Sequence, residues 1–320
     1  MRKVAYKVLI PEDITAPGKD FLKSRGYEVV VVDGTASEAF EREARDTDAL
    51  LARTAKYPAE ILRKMPELKV IGRHGVGYDN IDMDYCNEKK IRVTITPNAN
   101  SNAVAEHTVM MLLACAKNLI FQNRQVMAGN WNSRNQCRGE EVTGKTVGIV
   151  GCGRIGKQVA RKAALGLDMR VIGYDPVIPM DVKLDHMERV PTIEELFREA
   201  DFVSLHLPET AETRGMINKD LLSLMKPTAS LINCARGGIV NEDDLYEALS
   251  THRIHGAGVD VLTREPYCPD DRLLKLDNLI VTPHNAALNT ETMNKMGLDA
   301  ARGIDEVLSG QSPSWPVNKF

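Results

Sequence analysis

The first hundred residues alternate two kinds of hydrophobic pattern. Short runs of β-branched and other apolar residues, which predict buried strands, are separated by stretches whose apolar positions recur at helical spacing. Strict alternation of strand and helix predicts a parallel sheet that is covered by helices on both faces. The predicted strands span residues 8–10, 28–33, 49–53, 69–73 and 92–95, and the predicted helices span residues 18–25, 37–45, 58–65 and 82–89.

A second alternation of the same kind begins at Thr146. It predicts a second parallel sheet with its own helices, so the chain is organised as two α/β units. A last helix is predicted over residues 290–308, before a short proline-containing tail. The predicted strands of this half span residues 146–150, 169–174, 202–205, 229–233, 254–260 and 279–282, and its helices span residues 155–165, 192–198, 218–225 and 242–250.

One long helix is predicted between the two alternations, over residues 104–127. Asn100, Ser101 and Asn102 are candidate N-caps, and Gly129 is a candidate stop. The middle of this helix is apolar nearly all round, which predicts burial in a contact between domains or subunits. Residues 130–140 have no periodicity and predict a loop.

Composition is that of an ordinary globular protein. A chain of 320 residues, 43% hydrophobic and 27% charged, is long enough for two domains. The formal net charge of -3 and the pI near 6.2 give no electrostatic reason to expect nucleic acid or an anionic membrane as a partner. The six cysteines form no C-x-x-C pair, so no metal site is expected. The amino terminus lacks a signal-peptide profile and no apolar run is long enough to cross a bilayer, so we expect a cytoplasmic protein.

Residues 151–156, GCGRIG, form a G-x-G-x-x-G motif. The motif directly follows the predicted strand TVGIV and opens a predicted helix, which is the context in which it binds a dinucleotide. Gly151 permits the tight turn, Gly153 lets the backbone approach a pyrophosphate, and Gly156 allows the helix to pack closely on the strand. The first N–H groups of the helix then face the phosphate anion.

A carboxylate follows the next predicted strand, because Asp175 lies nineteen residues beyond Gly156. It can accept hydrogen bonds from the adenosine ribose hydroxyls, and it repels a 2′-phosphate. The motif therefore favours NAD over NADP. The strictness of this preference stays open, because Arg154 or Arg170 could offset the negative charge.

Three ionisable residues follow predicted strands of the second unit, namely Arg236, Glu265 and His284. Ligands bind at the carboxyl ends of strands in an open α/β sheet, so we expect all three at one edge. An imidazole can donate a proton to a carbonyl oxygen as it is reduced, and can take the proton back in the reverse reaction. A neighbouring carboxylate fixes the tautomer of the ring, and a guanidinium matches a substrate carboxylate. The set suits the interconversion of a 2-keto acid and a 2-hydroxy acid.

These motifs resemble the D-isomer-specific 2-hydroxyacid dehydrogenase family over nearly the whole chain. The similar segments are GRHGVGYDNID, PNANSNAVAEHT, GKTVGIVGCGRIG, LPETAETRGMIN, INCARGGIVNEDDL, GVDVLTREP and TPHNAA. The resemblance implies a flavodoxin-like substrate domain, residues 1–101 and 288–320, and a Rossmann NAD-binding domain, residues 102–287. It also implies an NAD-dependent oxidoreductase, and a homodimer formed through the NAD-binding domain and the long helix.

The same resemblance implies roles for individual residues. The family's catalytic arginine, glutamate and histidine fall on Arg236, Glu265 and His284. The residues implied to bind the cofactor are Gly151, Gly153, Arg154, Ile155, Gly156, Asp175, His206, Pro208, Thr213, Ala235, Asp260 and His284. The residues implied to bind the substrate are Arg53, His74, Arg236 and the backbone around Val76 and Gly77.

The identity of the 2-hydroxy acid stays open. Arg53 resembles an arginine that phosphoglycerate dehydrogenases place after the same strand, where it could meet a phosphate or a second carboxylate; a plain surface arginine is an equal alternative. His74 lies in the presumed substrate loop and is a candidate specificity residue. An activity like that of 3-phosphoglycerate dehydrogenase is the first hypothesis, ahead of hydroxypyruvate or glyoxylate reduction and D-lactate-type dehydrogenation. An NAD-binding corepressor-like protein and a catalytically weak scaffold are the alternatives from other classes.

Overall fold

The computed structural model describes residues 5–320 of the chain. These residues form two compact units, one made of residues 5–100 with 287–320 and the other of residues 101–286. Both junctions lie one residue from the boundaries predicted from the sequence.

Parallel strands alternate with helices in both units. The strands are β1 (Lys7–Ile10), β2 (Glu28–Val31), β3 (Ala49–Ala52), β4 (Val70–Arg73), β5 (Arg92–Thr94), β6 (Thr146–Val150), β7 (Arg170–Tyr174), β8 (Glu188–Arg189), β9 (Phe202–Leu205), β10 (Ser230–Asn233), β11 (Gly256–Val259) and β12 (Leu279–Val281). The helices are α1 (Ala16–Ser24), α2 (Glu38–Glu43), α3 (Ala59–Leu62), α4 (Met83–Glu88), α5 (Ser101–Ala116), α6 (Leu119–Met127), α7 (Arg154–Leu167), α8 (Ile193–Glu199), α9 (Lys219–Leu224), α10 (Glu242–Ser250) and α11 (Thr290–Leu308).

The first unit is built on a five-stranded sheet with the order β2-β1-β3-β4-β5. All five strands are parallel, and every residue of β1 and β3 is buried, as expected for strands covered on both faces. Helix α11 returns from the end of the chain to pack on this sheet beside α1. The crossing is close, because a Cβ on Gly18 would lie 2.6 Å from the carbonyl oxygen of Gly297.

The second unit is built on a seven-stranded parallel sheet with the order β12-β11-β10-β9-β6-β7-β8. The chain first runs outward from β6 through β7 to β8, and then returns to β9 on the other side of β6. The direction of winding therefore reverses between β6 and β9. In sheets of this type a ligand binds at the carboxyl ends of the strands beside such a reversal. The predicted fold class, two parallel-sheet α/β domains, is confirmed.

The prediction of a single long helix over residues 104–127 is wrong, because this segment forms two helices, α5 and α6, which meet at a bend of 62°. Asn118 at the break has a left-handed backbone with φ of 51°. Its side chain stabilises the bend, since Nδ2 donates to the carbonyl of Arg138 at 3.1 Å and Oδ1 lies 2.9 Å from Nε2 of His255. Asparagine tolerates this conformation better than most residues do. The predicted loop that follows contains a short 3-10 helix, Trp131–Asn135.

Within residues 5–320, no single helix has both the length and the apolar composition needed to cross a membrane, and α5 and α6 reach them only as a bent pair.

Candidate active site

The glycine-rich turn lies between β6 and α7, beside the reversal of the sheet. Gly151 has φ of 98°, and a Cβ there would lie 2.8 Å from the carbonyl carbon of His206. A Cβ on Gly156 would lie 2.2 Å from the carbonyl oxygen of Gly151, so only glycine fits at both positions. A Cβ on Gly153 would instead meet no described atom within 4 Å. The turn therefore leaves open the space that a pyrophosphate needs, and it fits a dinucleotide.

The start of α7 completes this cradle. Gly153 is the N-cap residue, and Arg154 and Ile155 form the first helical positions. Both Gly153 and Arg154 are exposed, so the N-terminal end of the helix is open to solvent. A helix terminus of this kind is a site for a phosphate anion.

Asp175 follows β7 and ties the end of that strand to the glycine-rich turn. Its Oδ2 accepts the backbone N–H of Cys152 at 2.8 Å, and its Oδ1 accepts those of Val177 at 2.9 Å and Ile178 at 3.3 Å. The carboxylate is therefore held in one orientation. Its oxygens keep lone pairs that can accept ribose hydroxyls.

Arg189, on β8, holds the loop that follows Asp175. Its guanidinium donates to the carbonyl oxygens of Asp175 at 3.3 Å, Ile178 at 2.9 Å and Pro179 at 3.3 Å. One side chain thus gathers three carbonyl groups of the segment next to the predicted ribose site. Sequence reasoning did not identify this residue, because β8 has only two residues and no recognisable strand pattern.

Arg170, which could have offset the charge of Asp175, is engaged elsewhere. It pairs with Glu188 at 2.7 Å and with Glu199 at 2.8 Å. These two carboxylates neutralise its charge on the surface of the second unit.

The loop after β10 carries Arg236. The side chain of Asn233 closes this loop, since its Oδ1 accepts the N–H of Ala235 at 3.0 Å and its Nδ2 donates to the carbonyl of Arg236 at 2.9 Å. A Cβ on Gly237 would lie 2.0 Å from the carbonyl carbon of Leu262, so the loop packs directly on the segment that carries Glu265. Arg236 and Glu265 therefore come from adjoining loops.

His284 and Glu265 form a hydrogen-bonded pair, with Nδ1 of the ring 2.7 Å from Oε2 of the carboxylate. The other oxygen of Glu265 accepts the N–H of Leu262 at 3.1 Å. Partial burial raises the pKa of Glu265, but the hydrogen bond and charge of His284, the Leu262 N–H and the charge of Arg236 outweigh it, and the pKa is lowered. The carboxylate is thus ionised, and the ring remains 47% exposed.

Asp260 holds the backbone that presents His284. His284 has a left-handed backbone with φ of 49°, and its N–H donates to the carbonyl of Asp260 at 2.8 Å. The Asp260 carboxylate is 1% exposed and accepts the N–H groups of Asn285 at 3.0 Å and Ala286 at 2.9 Å, together with the hydroxyl of Thr282. Asp260 is one of the predicted cofactor-binding residues, and the structure gives its carboxylate these internal partners.

Four other predicted cofactor residues lie around the same edge. The N–H of His206 donates to Val150 at 2.7 Å, and its ring, 2.9 Å from the hydroxyl of Ser204, has its pKa lowered by burial. Thr213 closes its loop by donating to the carbonyl of Pro208 at 2.7 Å. Ala235 is half-buried next to Arg236.

The predicted substrate residues Arg53, His74, Val76 and Gly77 lie in the first unit, at the carboxyl ends of β3 and β4. Arg53 donates to the carbonyl of Asp13 at 2.7 Å, and Val76 and Gly77 are half-buried in the loop after β4. His74 is 4% exposed. Burial first, and then the charges of Arg53 and Arg73, lower its pKa to about 4, against weaker effects of its own backbone and of the Met293 backbone. The ring is therefore neutral inside this unit, and its contact with substrate stays a prediction.

Two buried cysteines, Cys152 and Cys234, lie in the motifs that contain the glycine-rich turn and Arg236. Burial raises the pKa of Cys152 to about 11 and that of Cys234 to about 12, so both side chains stay thiols. Among the described residues, no group of three or more His, Cys, Asp or Glu side chains is arranged to hold a metal ion.

Comparisons with known proteins agree with this geometry. The family model for "D-isomer specific 2-hydroxyacid dehydrogenase, NAD binding domain" matches residues 109–286. The chain is 40% identical over 314 residues to D-3-phosphoglycerate dehydrogenase of Methanocaldococcus jannaschii, with 98% of this chain aligned but only 59% of that protein. It is 34% identical to hydroxypyruvate reductase of Thermotoga maritima, with 93% of this chain and 97% of that protein aligned.

A solved structure is similar over the same length. The TT0316 protein of Thermus thermophilus superposes with a TM-score of 0.89 at 35% identity, over 98% of this chain and 100% of that one. The resemblance predicted from the motifs, and NAD as the cofactor, are confirmed by the family model.

Proposed function

Since the chain belongs to the D-isomer specific 2-hydroxyacid dehydrogenase family, we propose that it reduces a 2-keto acid with NADH and oxidises the matching D-2-hydroxy acid with NAD. The observation that carries this proposal is the 2.7 Å contact between His284 and Glu265, together with the close packing of the Glu265 loop on the loop of Arg236. A proton donor, its orienting carboxylate and an arginine thus follow strands of the sheet that holds the glycine-rich turn. NADH, when bound, supplies the hydride.

His284 is the acid and base of the proposed reaction. Because Nδ1 bonds to the Glu265 carboxylate, that nitrogen carries a proton and Nε2 faces the reaction. In the direction of reduction, Nε2 of the imidazolium donates its proton to the carbonyl oxygen. In oxidation, the neutral ring takes the hydroxyl proton. The ionised carboxylate also holds the ring in one orientation, which both directions need.

Arg236 binds the substrate anion in this proposal. Its planar guanidinium matches a carboxylate, and in a 2-keto acid the reacting carbonyl is on the adjacent carbon. Fixing the carboxylate therefore also orients the carbonyl toward the proton donor. The backbone around Val76 and Gly77 stays a predicted substrate-binding segment of the first unit.

NAD is the proposed coenzyme in preference to NADP. The Asp175 carboxylate is anchored by three backbone N–H groups, so it cannot turn away from a 2′-phosphate. Arg170 is neutralised by two glutamates and does not offset that charge. Electrostatic repulsion of the extra phosphate supports the preference.

The relatives indicate the substrate class. Over the aligned residues, which make up 59% of each relative, the chain is 35–40% identical to phosphoglycerate dehydrogenases, and this favours a phosphorylated three-carbon substrate as the first candidate. Hydroxypyruvate reductase of Thermotoga maritima, which this chain matches over nearly its full length, makes hydroxypyruvate or glyoxylate the second. D-lactate-type activity is a third. The assembled Arg236, Glu265 and His284 argue against a corepressor or an inactive scaffold.

A homodimer is part of the proposal. Leu119, Val126, Met127 and Trp131 are large apolar side chains that are exposed on α6 and the segment after it. Apolar surface gathered on one segment suits an interface with a second copy. Light scattering of the purified protein should give twice the monomer mass of 35.4 kDa, and a monomeric value at micromolar concentration would refute this part.

Absorbance of NADH at fixed concentration, followed with a panel of 2-keto acids, tests the activity. The panel contains phosphohydroxypyruvate, hydroxypyruvate, glyoxylate, pyruvate and oxaloacetate. At least one should be reduced, and the H284N variant should lower kcat by about 10²-fold or more. The H252N variant, which changes an exposed histidine of the same unit, serves as the control and should match the wild type. Absence of turnover with every compound would refute the proposal.

A further inference from the structure

We propose that Asn233 is a positioning residue that fixes Arg236 relative to His284. The inference rests on the proposed function, because it assigns Asn233 a task in that same site. Asn233 ends strand β10 and is 1% exposed, so its amide side chain has no access to solvent and must find its partners inside the protein.

Both polar atoms of the Asn233 side chain form hydrogen bonds with the loop that carries Arg236. The Oδ1 atom accepts the N–H of Ala235 at 3.0 Å, and the Nδ2 atom donates to the carbonyl of Arg236 at 2.9 Å. The side chain therefore bridges the loop from the residue before Arg236 to Arg236 itself. With both bonds made, the Cα of Arg236 has one position relative to the end of the strand.

A chain of backbone hydrogen bonds continues from Asn233 to the proton donor. The carbonyl of Asn233 accepts the N–H of Asp260 at 2.9 Å, and the carbonyl of Asp260 accepts the N–H of His284 at 2.8 Å. The backbones of Arg236 and His284 are thus joined through Asn233 and Asp260 in one hydrogen-bonded framework. The distance between a bound carboxylate and the proton donor depends on this framework.

Only an amide of this length fulfils both tasks. Aspartate keeps an acceptor for Ala235 but would place a second oxygen against the carbonyl of Arg236, where two acceptors repel each other. Serine can still bond to the nearby N–H but does not reach the carbonyl. Both substitutions therefore remove the bond to Arg236, and they differ in charge and volume.

The expected consequence is a loss of anion recognition with coenzyme binding retained. In N233D and in N233S, kcat/KM for the best 2-keto acid should fall by about 10-fold or more. A displaced guanidinium binds the substrate carboxylate less well, and this raises the free energy of the transition state. The dissociation constant of NADH, measured by its fluorescence, should stay within about 3-fold of the wild type. The control is N241D, which adds the same charge to the same connection; Asn241 caps α10 by accepting two N–H groups, and aspartate can do this equally well.

A double-mutant cycle separates positioning from a general structural effect. In an R236K background, which has already lost the planar fork, N233S should lower kcat/KM by less than about 2-fold. Equal effects of N233S in both backgrounds, or wild-type activity in both Asn233 variants, would overturn the proposal.

A binding measurement makes the inference independent of turnover. Oxalate, an unreactive dicarboxylate, is titrated into the protein with NADH present, and its dissociation constant should rise about 10-fold in N233S. If the wild type binds oxalate and N233S binds it weakly while no keto acid is reduced, the proposed function fails and the role of Asn233 stands. If keto acids are reduced and oxalate binds both proteins equally, the role of Asn233 is refuted. Absence of oxalate binding and of turnover in the wild type would reject both.

Discussion

The Nδ1 atom of His284 lies 2.7 Å from the Oε2 atom of Glu265, in a pair that is close to half exposed on both sides. The carboxylate reaches the ring from a separate loop, so the pair forms only when the loops after β11 and β12 are folded together. A solvent-exposed contact of this kind contributes little to the free energy of unfolding. Its value lies in orienting the ring.

The E265Q variant should therefore slow the reaction. Glutamine keeps the size and a hydrogen-bonding oxygen but lacks the charge, so it holds Nδ1 of His284 by a weaker hydrogen bond. A less firmly oriented ring is a poorer proton donor, and kcat/KM for the keto acid should fall by about 10-fold or more. Initial rates with NADH and the best keto acid provide the measurement.

The matched control for this experiment is E242Q. Glu242 also supports the loop between β11 and β12, because its carboxylate accepts the N–H of Thr263 at 2.6 Å. No contact joins it to His284 among the hydrogen bonds and ion pairs of the described residues. Its kcat/KM should match that of the wild type, and an equal fall in both variants would assign the effect to the loop instead of the pair.

Residues at the ends of buried strands could be predicted well from the sequence. Arg236, Glu265 and His284 each follow a strongly apolar run, and the topology of a parallel sheet brings such positions to one edge. Their placement depends on local pattern and on one general rule. The glycine-rich turn is of the same kind, because its spacing encodes the close approach of α7 to β6.

Features that depend on distant packing could not be predicted. The bend at Asn118 has neither glycine nor proline at the break, and it is stabilised by His255 and Arg138, far away in sequence. His74 is buried by α11, which returns more than two hundred residues later. A single sequence carries no signal for such contacts.

Coenzyme binding should depend on the loop that Arg189 holds. In R189Q, the three carbonyl groups of residues 175–179 lose their common donor, so the KM for NADH should rise about 10-fold while kcat changes little, since Arg189 touches no reacting group. R189K should restore part of the loss. R170Q removes an arginine that bonds only to the surface glutamates in the described contacts, and should leave KM unchanged. A fall in kcat at constant KM would contradict this assignment.

The ratio of NADH to NADPH use should depend on Asp175. The wild type should have the higher kcat/KM with NADH. In D175N, which retains an oxygen for the backbone N–H groups but lacks the charge, this ratio should fall by about 10-fold. Initial rates with both coenzymes at one keto acid concentration provide the measurement. A wild type that prefers NADPH would contradict the role given to the carboxylate.

His74 should make the first unit less stable in weak acid. Its pKa is about 4 in the folded state and near 6.5 when the chain unfolds, so the unfolded state binds more protons between these values. The contribution is fully present above pH 6.5 and is lost as the pH falls toward 4. Between pH 7 and pH 5 the wild type should lose about 2 kcal/mol that an H74Q variant does not lose.

Urea unfolding at the two pH values measures this difference. The chain has two tryptophans, and Trp315 lies in the first unit, so a W131F background makes its fluorescence specific for that unit. The free energy of unfolding of the protein with His74, minus that of H74Q, should be about 2 kcal/mol lower at pH 5 than at pH 7. An equal difference at both pH values would show that His74 titrates normally.

The crossing of α1 and α11 provides the last prediction. A Cβ added to Gly18 would lie 2.6 Å from the carbonyl oxygen of Gly297, which is backbone and cannot move without shifting α11. The G18A variant should therefore lower the free energy of unfolding of the first unit by about 1–3 kcal/mol. G166A places the same methyl group on α7, where it meets no described atom within 4 Å, and should be neutral or stabilising by up to about 1 kcal/mol because alanine favours a helix. Urea unfolding of both variants tests the pair, and equal stability would show that the two helices can separate at no cost.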